Sequence, residues 1–132
     1  MRRAVLLAAV AVAAVSAAGC GGDQVTYSVA KTRACLRGQG VRVSRVPRSD
    51  FVASTATGGA FRARLDSGNF ATIVFGETDD DAGQIEKAYE RFAFPNVRQG
   101  LPDVLRTSHN AIMLWHEHPQ PADESTVLGC LK

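Results

Sequence analysis

Phe61-Arg62-Ala63-Arg64-Leu65-Asp66-Ser67-Gly68-Asn69-Phe70-Ala71-Thr72-Ile73-Val74-Phe75 is the stretch that decides how this chain folds. Phe61, Ala63 and Leu65 alternate with two arginines, the two-residue period of a strand with one wet face. Asp66-Ser67-Gly68-Asn69 is a cluster of turn formers. Ala71 to Phe75 is apolar at nearly every position, the pattern of a central strand covered on both sides. The sequence therefore predicts an antiparallel hairpin whose return strand lies inside a sheet.

Upstream, residues 25–37 read as a helix with Val25, Val29 and Leu36 on its apolar face, stopped by Gly38 and Gly40. Val41–Val46 alternates as a strand that Pro47 ends, and the Ser-, Thr- and Gly-rich stretch through Gly59 reads as a weak edge strand plus loop. Downstream, Thr78 caps a helix whose Asp79-Asp80-Asp81 start complements the N-terminal dipole. Ile85, Ala88, Tyr89 and Phe92 form its expected buried stripe, and Pro95 marks its end. Val104–Thr107 and Ala111–Trp115 read as strands joined through Ser108-His109-Asn110, and Ala122–Leu131 as a last helix with Asp123 and Glu124 in its first turn. The order α-β-β-β-α-β-β-α predicts an α+β fold, a small antiparallel sheet with helices on one face. Its central ββαβ segment resembles half of a ferredoxin-like plan.

The other informative stretch is the beginning. Met1-Arg2-Arg3 is a positive segment, followed by an apolar run of Ala, Val and Leu and then by Ser16-Ala17-Ala18-Gly19-Cys20. Ala4–Ala18, as helix, spans about 22 Å. That falls short of a bilayer core of about 30 Å. This arrangement resembles the export signal of bacterial lipoproteins, in which a peptidase cuts just before a Cys carrying a diacylglyceryl group. The resemblance rests on the signal alone, and Ala17 stands where the family usually has Leu. It implies residues 1–19 as signal peptide, lipidation at Cys20, residues 20–24 as a tether, and 25–132 as one domain held at the cell membrane outside the cytoplasm. Ordinary signal-peptidase cleavage, releasing a secreted soluble domain, is the alternative.

Cysteine arithmetic agrees with acylation. Of three cysteines, lipid on Cys20 accounts for the odd one, and Cys35 and Cys130 are then expected to pair as a disulfide in an oxidising compartment. Such a bridge contributes about 4–5 kcal/mol by loop-closure entropy.

Past the signal, basic and acidic residues balance, so charge gives no argument for nucleic acid. Their placement is uneven: residues 20–64 hold eight basic and two acidic side chains, and 65–132 hold five and eleven. The plainer expectation is that the halves attract each other within one fold. The other is that the Arg-rich half meets anionic lipid headgroups, where each basic residue contributes about 1 kcal/mol. A four-residue tether reaches about 14 Å, which would keep the domain near the bilayer.

Chemistry is sparse. His116-Glu117-His118 is the one cluster of possible metal ligands, with both imidazoles on one side of an extended segment. Gln120 stands where a His-Glu-x-x-His zinc motif needs its second His. Asp79-Asp80-Asp81 lacks the calcium-loop spacing. Gly38-x-Gly40 and Gly58-Gly59 have no phosphate-loop Lys-Ser/Thr, and no serine sits in a nucleophile elbow. No cofactor and no enzymatic activity is indicated. Trp115, Phe94, Tyr27 and Met113 are candidates for a groove, with core packing the simpler use for most, and Phe94 for a partner contact. The expected function is a lipid-anchored envelope binding module, for an envelope protein, a headgroup or a small ligand. A metal-binding protein using His116 and His118 is the alternative.

Overall fold

The computed structural model describes residues 24–132. Its helices are α1 (Val29–Gly38), α2 (Phe51–Ser54), α3 (Asp79–Phe92), α4 (Pro95–Val104) and α5 (Pro121–Cys130). Its strands are β1 (Arg42–Ser44), β2 (Ala60–Arg64), β3 (Phe70–Phe75), β4 (Leu105–Ser108) and β5 (Ala111–Trp115). They form one sheet in the order β1-β2-β3-β5-β4, with every neighbouring pair antiparallel. The α+β fold read from the hairpin is the fold observed. Arg64 pairs with Phe70 and Ala60 with Val74, and the Asn69 carbonyl accepts from the Leu65 amide across the turn.

The expectation of helices on one face is corrected. Phe61, Ala63, Ala71, Ile73, Phe75, Met113 and Trp115 pack with Leu36 of α1 and with Val127 and Cys130 of α5. Val74 and Ile112, whose side chains alternate to the other face, pack with Ala53 of α2, Ala82 and Tyr89 of α3, and Leu101 of α4. The physical reason lies in β3 itself: a strand apolar on consecutive residues needs cover on both sides.

β3 passes through α3 and α4 to the edge strand β4, and β5 returns between them, so β3 and β4 run parallel with β5 antiparallel in the middle. That is a split β-α-β unit, one half of the ferredoxin-like plan. On the other side β1-β2-β3 is a plain meander, and the likeness stops there.

Two helices lie where loops were expected. Asp50 accepts from the Ala53 amide at 2.9 Å and starts α2 in the stretch read as a weak edge strand. Pro95, read as a terminator, also occupies the first turn of α4, where its missing N–H costs nothing. α1 begins four residues later than expected because Ser28 caps it in extended conformation. Thr78 and Asp81 form a reciprocal capping box on α3, which accounts for the acidic run. Phe92, expected in the buried stripe, is 64% exposed in the last turn, with the Arg91 guanidinium 5.6 Å from its ring.

Cys35 and Cys130 form a disulfide joining α1 to α5 with Cα atoms 5.4 Å apart. The segment before α1 is fixed by Asn110, which is fully buried in the β4–β5 turn. Its side chain accepts from the Tyr27 amide (2.6 Å) and donates to the Tyr27 and Gly76 carbonyls (3.0 and 2.9 Å). The described chain therefore enters at the Asn110 end of the sheet. Gly58 is a close-approach glycine, since a Cβ there would strike the Phe75 carbonyl, so the Gly58-Gly59 pair is structural. The signal, Cys20 and most of the tether lie outside the described residues. Among the described residues no helix is long and apolar enough to cross a membrane.

Candidate functional site

On the α2–α4 face, successive rows of the sheet are covered to different depths. The row Ala60–Val74–Ile112 lies under α2 and α3 and is closed. The row Arg62–Thr72–Leu114 lies partly under α4, and a cleft of about 410 Å³ opens there between the sheet and Asn96, Val97, Gly100 and Val104. The outermost row, Arg64–Phe70–His116, is uncovered; the His116 amide continues the ladder by donating to the Phe70 carbonyl at 2.9 Å. The volume falls within the range of small-ligand sites.

Phe70 links cleft to open row. The Arg62 guanidinium from β2 sits 4.4 Å from its ring centroid, and the imidazole of His116, just past β5, stacks on it at 4.4 Å and 15°. The cation–π contact orients Arg62 and supplies no hydrogen-bond acceptor. Arg62 Nε is buried and has no partner among the described residues. Beside it a shallower hollow of about 310 Å³ is lined by Ser44, Arg62, Arg64 and Phe70. The strand register sets Arg42 directly opposite Arg64 and Ser44 opposite Arg62, so three arginines share this end of one sheet face.

The charges of the two halves do not pair. Among the described residues carboxylates meet a basic side chain at Arg106–Glu124 (3.3 Å) and imidazoles at His109–Asp79 (3.6 Å) and His118–Asp103 (2.6 Å), all within residues 65–132. Among the described residues none of the eight basic residues of 20–64 meets a carboxylate within 4 Å, so close ion pairs do not join the two halves. The topology explains it: β1, β2 and α1 gather the arginines at one side, while the carboxylates ride mainly on α3 and the surface near α5.

Asp50 is the one carboxylate lining the cleft. Its oxygens accept from the Tyr89 hydroxyl at 3.1 and 3.3 Å and from the Ala53 amide. Burial, and secondarily the charge and hydrogen bond of Asp50, push the Tyr89 hydroxyl far above its ordinary value, so it remains a donor to Asp50.

His116 and His118, the expected ligand pair, are engaged separately, one on Phe70 and the other with Asp103. Among the described residues no three His, Cys, Asp or Glu side chains are grouped to hold a metal ion. Trp115 lines the cleft, although its alternation places the side chain in the α1/α5 core. Met113 is core, Tyr27 is held at the chain entry, and Phe94 is 77% exposed. Sequence reasoning missed Arg62 and the α4 wall. The available signal was an arginine next to a strand apolar on both faces, which put it beside a covered surface. The chain matches no protein family, no curated protein and no solved structure with which it was compared.

Proposed function

We propose that this chain is an exported lipoprotein, cut ahead of Cys20 and anchored outside the cytoplasm by lipid on that thiol, and that its domain binds a ligand in the cleft beneath α4. The observation that supports the cleft as the binding place is the buried, unpartnered Arg62 Nε in its wall. A guanidinium held in place without an acceptor carries a desolvation cost that a ligand can relieve. The Cys35–Cys130 bridge supports the anchor, because it leaves Cys20 as the one cysteine without a disulfide role.

The geometry bears on orientation. The chain enters at the Asn110 end of β5, while Arg64, Phe70 and His116 occupy the other end, a strand length of about 17 Å away. Cys20 stands seven residues before Tyr27, an extended reach of about 24 Å, so the anchored domain stays close to the bilayer in either orientation. In this reading the ligand arrives from the extracytoplasmic solution.

The experiment is mass spectrometry of the N-terminal peptide from cells expressing the chain, alongside a Cys20→Ser variant. A diacylglyceryl mass on Cys20 and loss of membrane fractionation in the variant are the expected result. An unmodified N-terminus produced by ordinary signal peptidase removes the anchor and leaves a secreted domain.

A further inference from the structure

We infer that the ligand is a single-chain amphiphile with an oxyanion head, its aliphatic part in the cleft beneath α4 and its head on the Arg62–Arg64–Arg42 row; this rests on the cleft being the binding place. The cleft and the arginine hollow are continuous, because Arg62 and Phe70 line both. Their chemistry differs. Val97, Val104, Leu114 and the ring of Phe70 give the cleft apolar walls, and Gly100 widens it. A Cβ on Gly100 would meet nothing within 4 Å, so the helix carries a residue of poor helical propensity where the wall stands open. The hollow holds Arg62, Arg64 and Ser44, with Arg42 across the strand, and among the described residues no carboxylate pairs with any of them.

Head and tail have one favourable direction. Asp50 is a carboxylate in the cleft, already occupied by the Tyr89 hydroxyl and the Ala53 amide, and it repels an anion placed near it. Arg62 stands at the junction, lining both spaces with no carboxylate partner among the described residues, and a guanidinium can grip an oxyanion in bidentate fashion. Ser44 adds a hydroxyl donor beside it. An oxyanion alone would leave the cleft unfilled, and an alkyl chain alone would leave the arginines unpaired. The same head chemistry exists in bilayer headgroups and in free amphiphiles. The cleft, about 410 Å³ and continuous with the arginine hollow, holds a chain together with its head, which favours the free form.

The test titrates the full chain, purified without detergent, with octyl phosphate, octyl glucoside and inorganic phosphate, each below its aggregation limit. Calorimetry gives the readout, while Trp115, the only tryptophan, sits in the α1/α5 core and monitors the integrity of the fold. Octyl phosphate is expected to bind at least tenfold more tightly than either other probe. Arg62→Gln/Arg64→Gln should reduce that preference about tenfold, and Gly100→Leu, which fills the cleft from an unobstructed position, should abolish binding with thermal stability retained. Equal binding of octyl phosphate and octyl glucoside, both lost in Gly100→Leu, overturns the anionic ligand while the cleft stands. Binding of inorganic phosphate as tight as octyl phosphate and indifferent to Gly100→Leu, or no binding of any probe, overturns both. Sedimentation with anionic vesicles, in excess over neutral ones, that depends on Arg62 and Arg64 but survives Gly100→Leu overturns the free amphiphile in favour of a bilayer headgroup.

Discussion

On the α1/α5 face of the sheet, Leu36, Phe61 and Ile73 are fully buried and a disulfide ties the two covering helices together, whereas on the opposite face α4 leaves Arg62, Phe70 and His116 partly or wholly open. The two faces are built from the same three central strands, alternating residue by residue. The closed face takes Phe61, Ala63, Ile73 and Met113; the open one takes Arg62, Arg64, Phe70 and Thr72. Burial is worth about 25 cal/mol per Å² of apolar surface, and like charges directly opposite across strands oppose pairing. The α1/α5 side therefore carries the larger closed core and the crosslink, and the α2–α4 side joins a smaller core of Val74, Tyr89, Leu101 and Ile112 to an open row that holds Arg62 and Arg64.

The largest expected effect breaks the closed face. Replacing Cys35 and Cys130 together with Ser should lower unfolding free energy by about 4 kcal/mol, since the bridge spans 95 residues. Urea denaturation of the variant against the parent measures it. A loss under about 1 kcal/mol would mean that packing of Leu36 and Val127 already holds α1 to α5, and that the contrast between faces does not come from the crosslink.

What could be read from the sequence divides along the same line. β3 announces its position because burial on both faces leaves no polar residue in Ile73-Val74-Phe75, and α3 because Thr78 and the aspartates mark its start. The final helix is found within one residue at each end for the same reason, with Pro121 and Asp123 at its beginning. α4 is not legible, since Gly100 and Pro102 are helix-breaking residues and tertiary packing of Leu101 holds the segment helical in spite of them. α2 is equally hidden: four residues capped by Asp50 carry too little periodicity to announce a helix. The candidate site then follows suit. Arg62 and Phe70 are eight residues apart and belong to a recognisable hairpin, but Asn96, Val97 and Gly100 reach them only through α4. The disulfide was legible from the cysteine count taken with the resemblance to a lipoprotein signal, which sets Cys20 aside and leaves a single pairing.

A middle-sized effect probes the boundary between the faces of the α2–α4 side. Tyr89 is nearly fully buried under Val74 and Ile112 while its hydroxyl reaches Asp50 in the cleft. Tyr89→Phe should cost about 1–2 kcal/mol at neutral pH, the worth of a hydrogen bond to a charged group. The pH dependence has a defined sign. Folding raises the hydroxyl above its ordinary 10.0, first by burial and then through Asp50, so the folded state keeps a proton that the unfolded chain releases. The stabilisation is complete below pH 10 and declines as pH rises beyond it. Denaturation midpoints of parent and variant should converge between pH 9 and pH 11, while other titrating groups cancel in the difference. A gap that stays constant over that range would show that the hydroxyl does not remain protonated on folding.

The smallest effect is the one that separates structure from function. Arg42 and Arg64 face each other across β1 and β2 with no carboxylate paired to either among the described residues, a pairing that local energetics disfavour by about 0.2–1 kcal/mol. Arg42→Gln should therefore leave the fold intact and raise its stability by about 0.3 kcal/mol at low ionic strength. That gain should vanish in 1 M salt, where the Debye length falls to about 3 Å. The same variant should bind octyl phosphate several-fold more weakly. A residue whose removal strengthens the fold while weakening binding is placed for a ligand, because packing gives no other reason to keep it. If Arg42→Gln instead destabilises the chain by more than about 0.5 kcal/mol, beyond the ordinary range for surface substitutions, then the arginine row contributes to the fold and loses its claim as a binding surface.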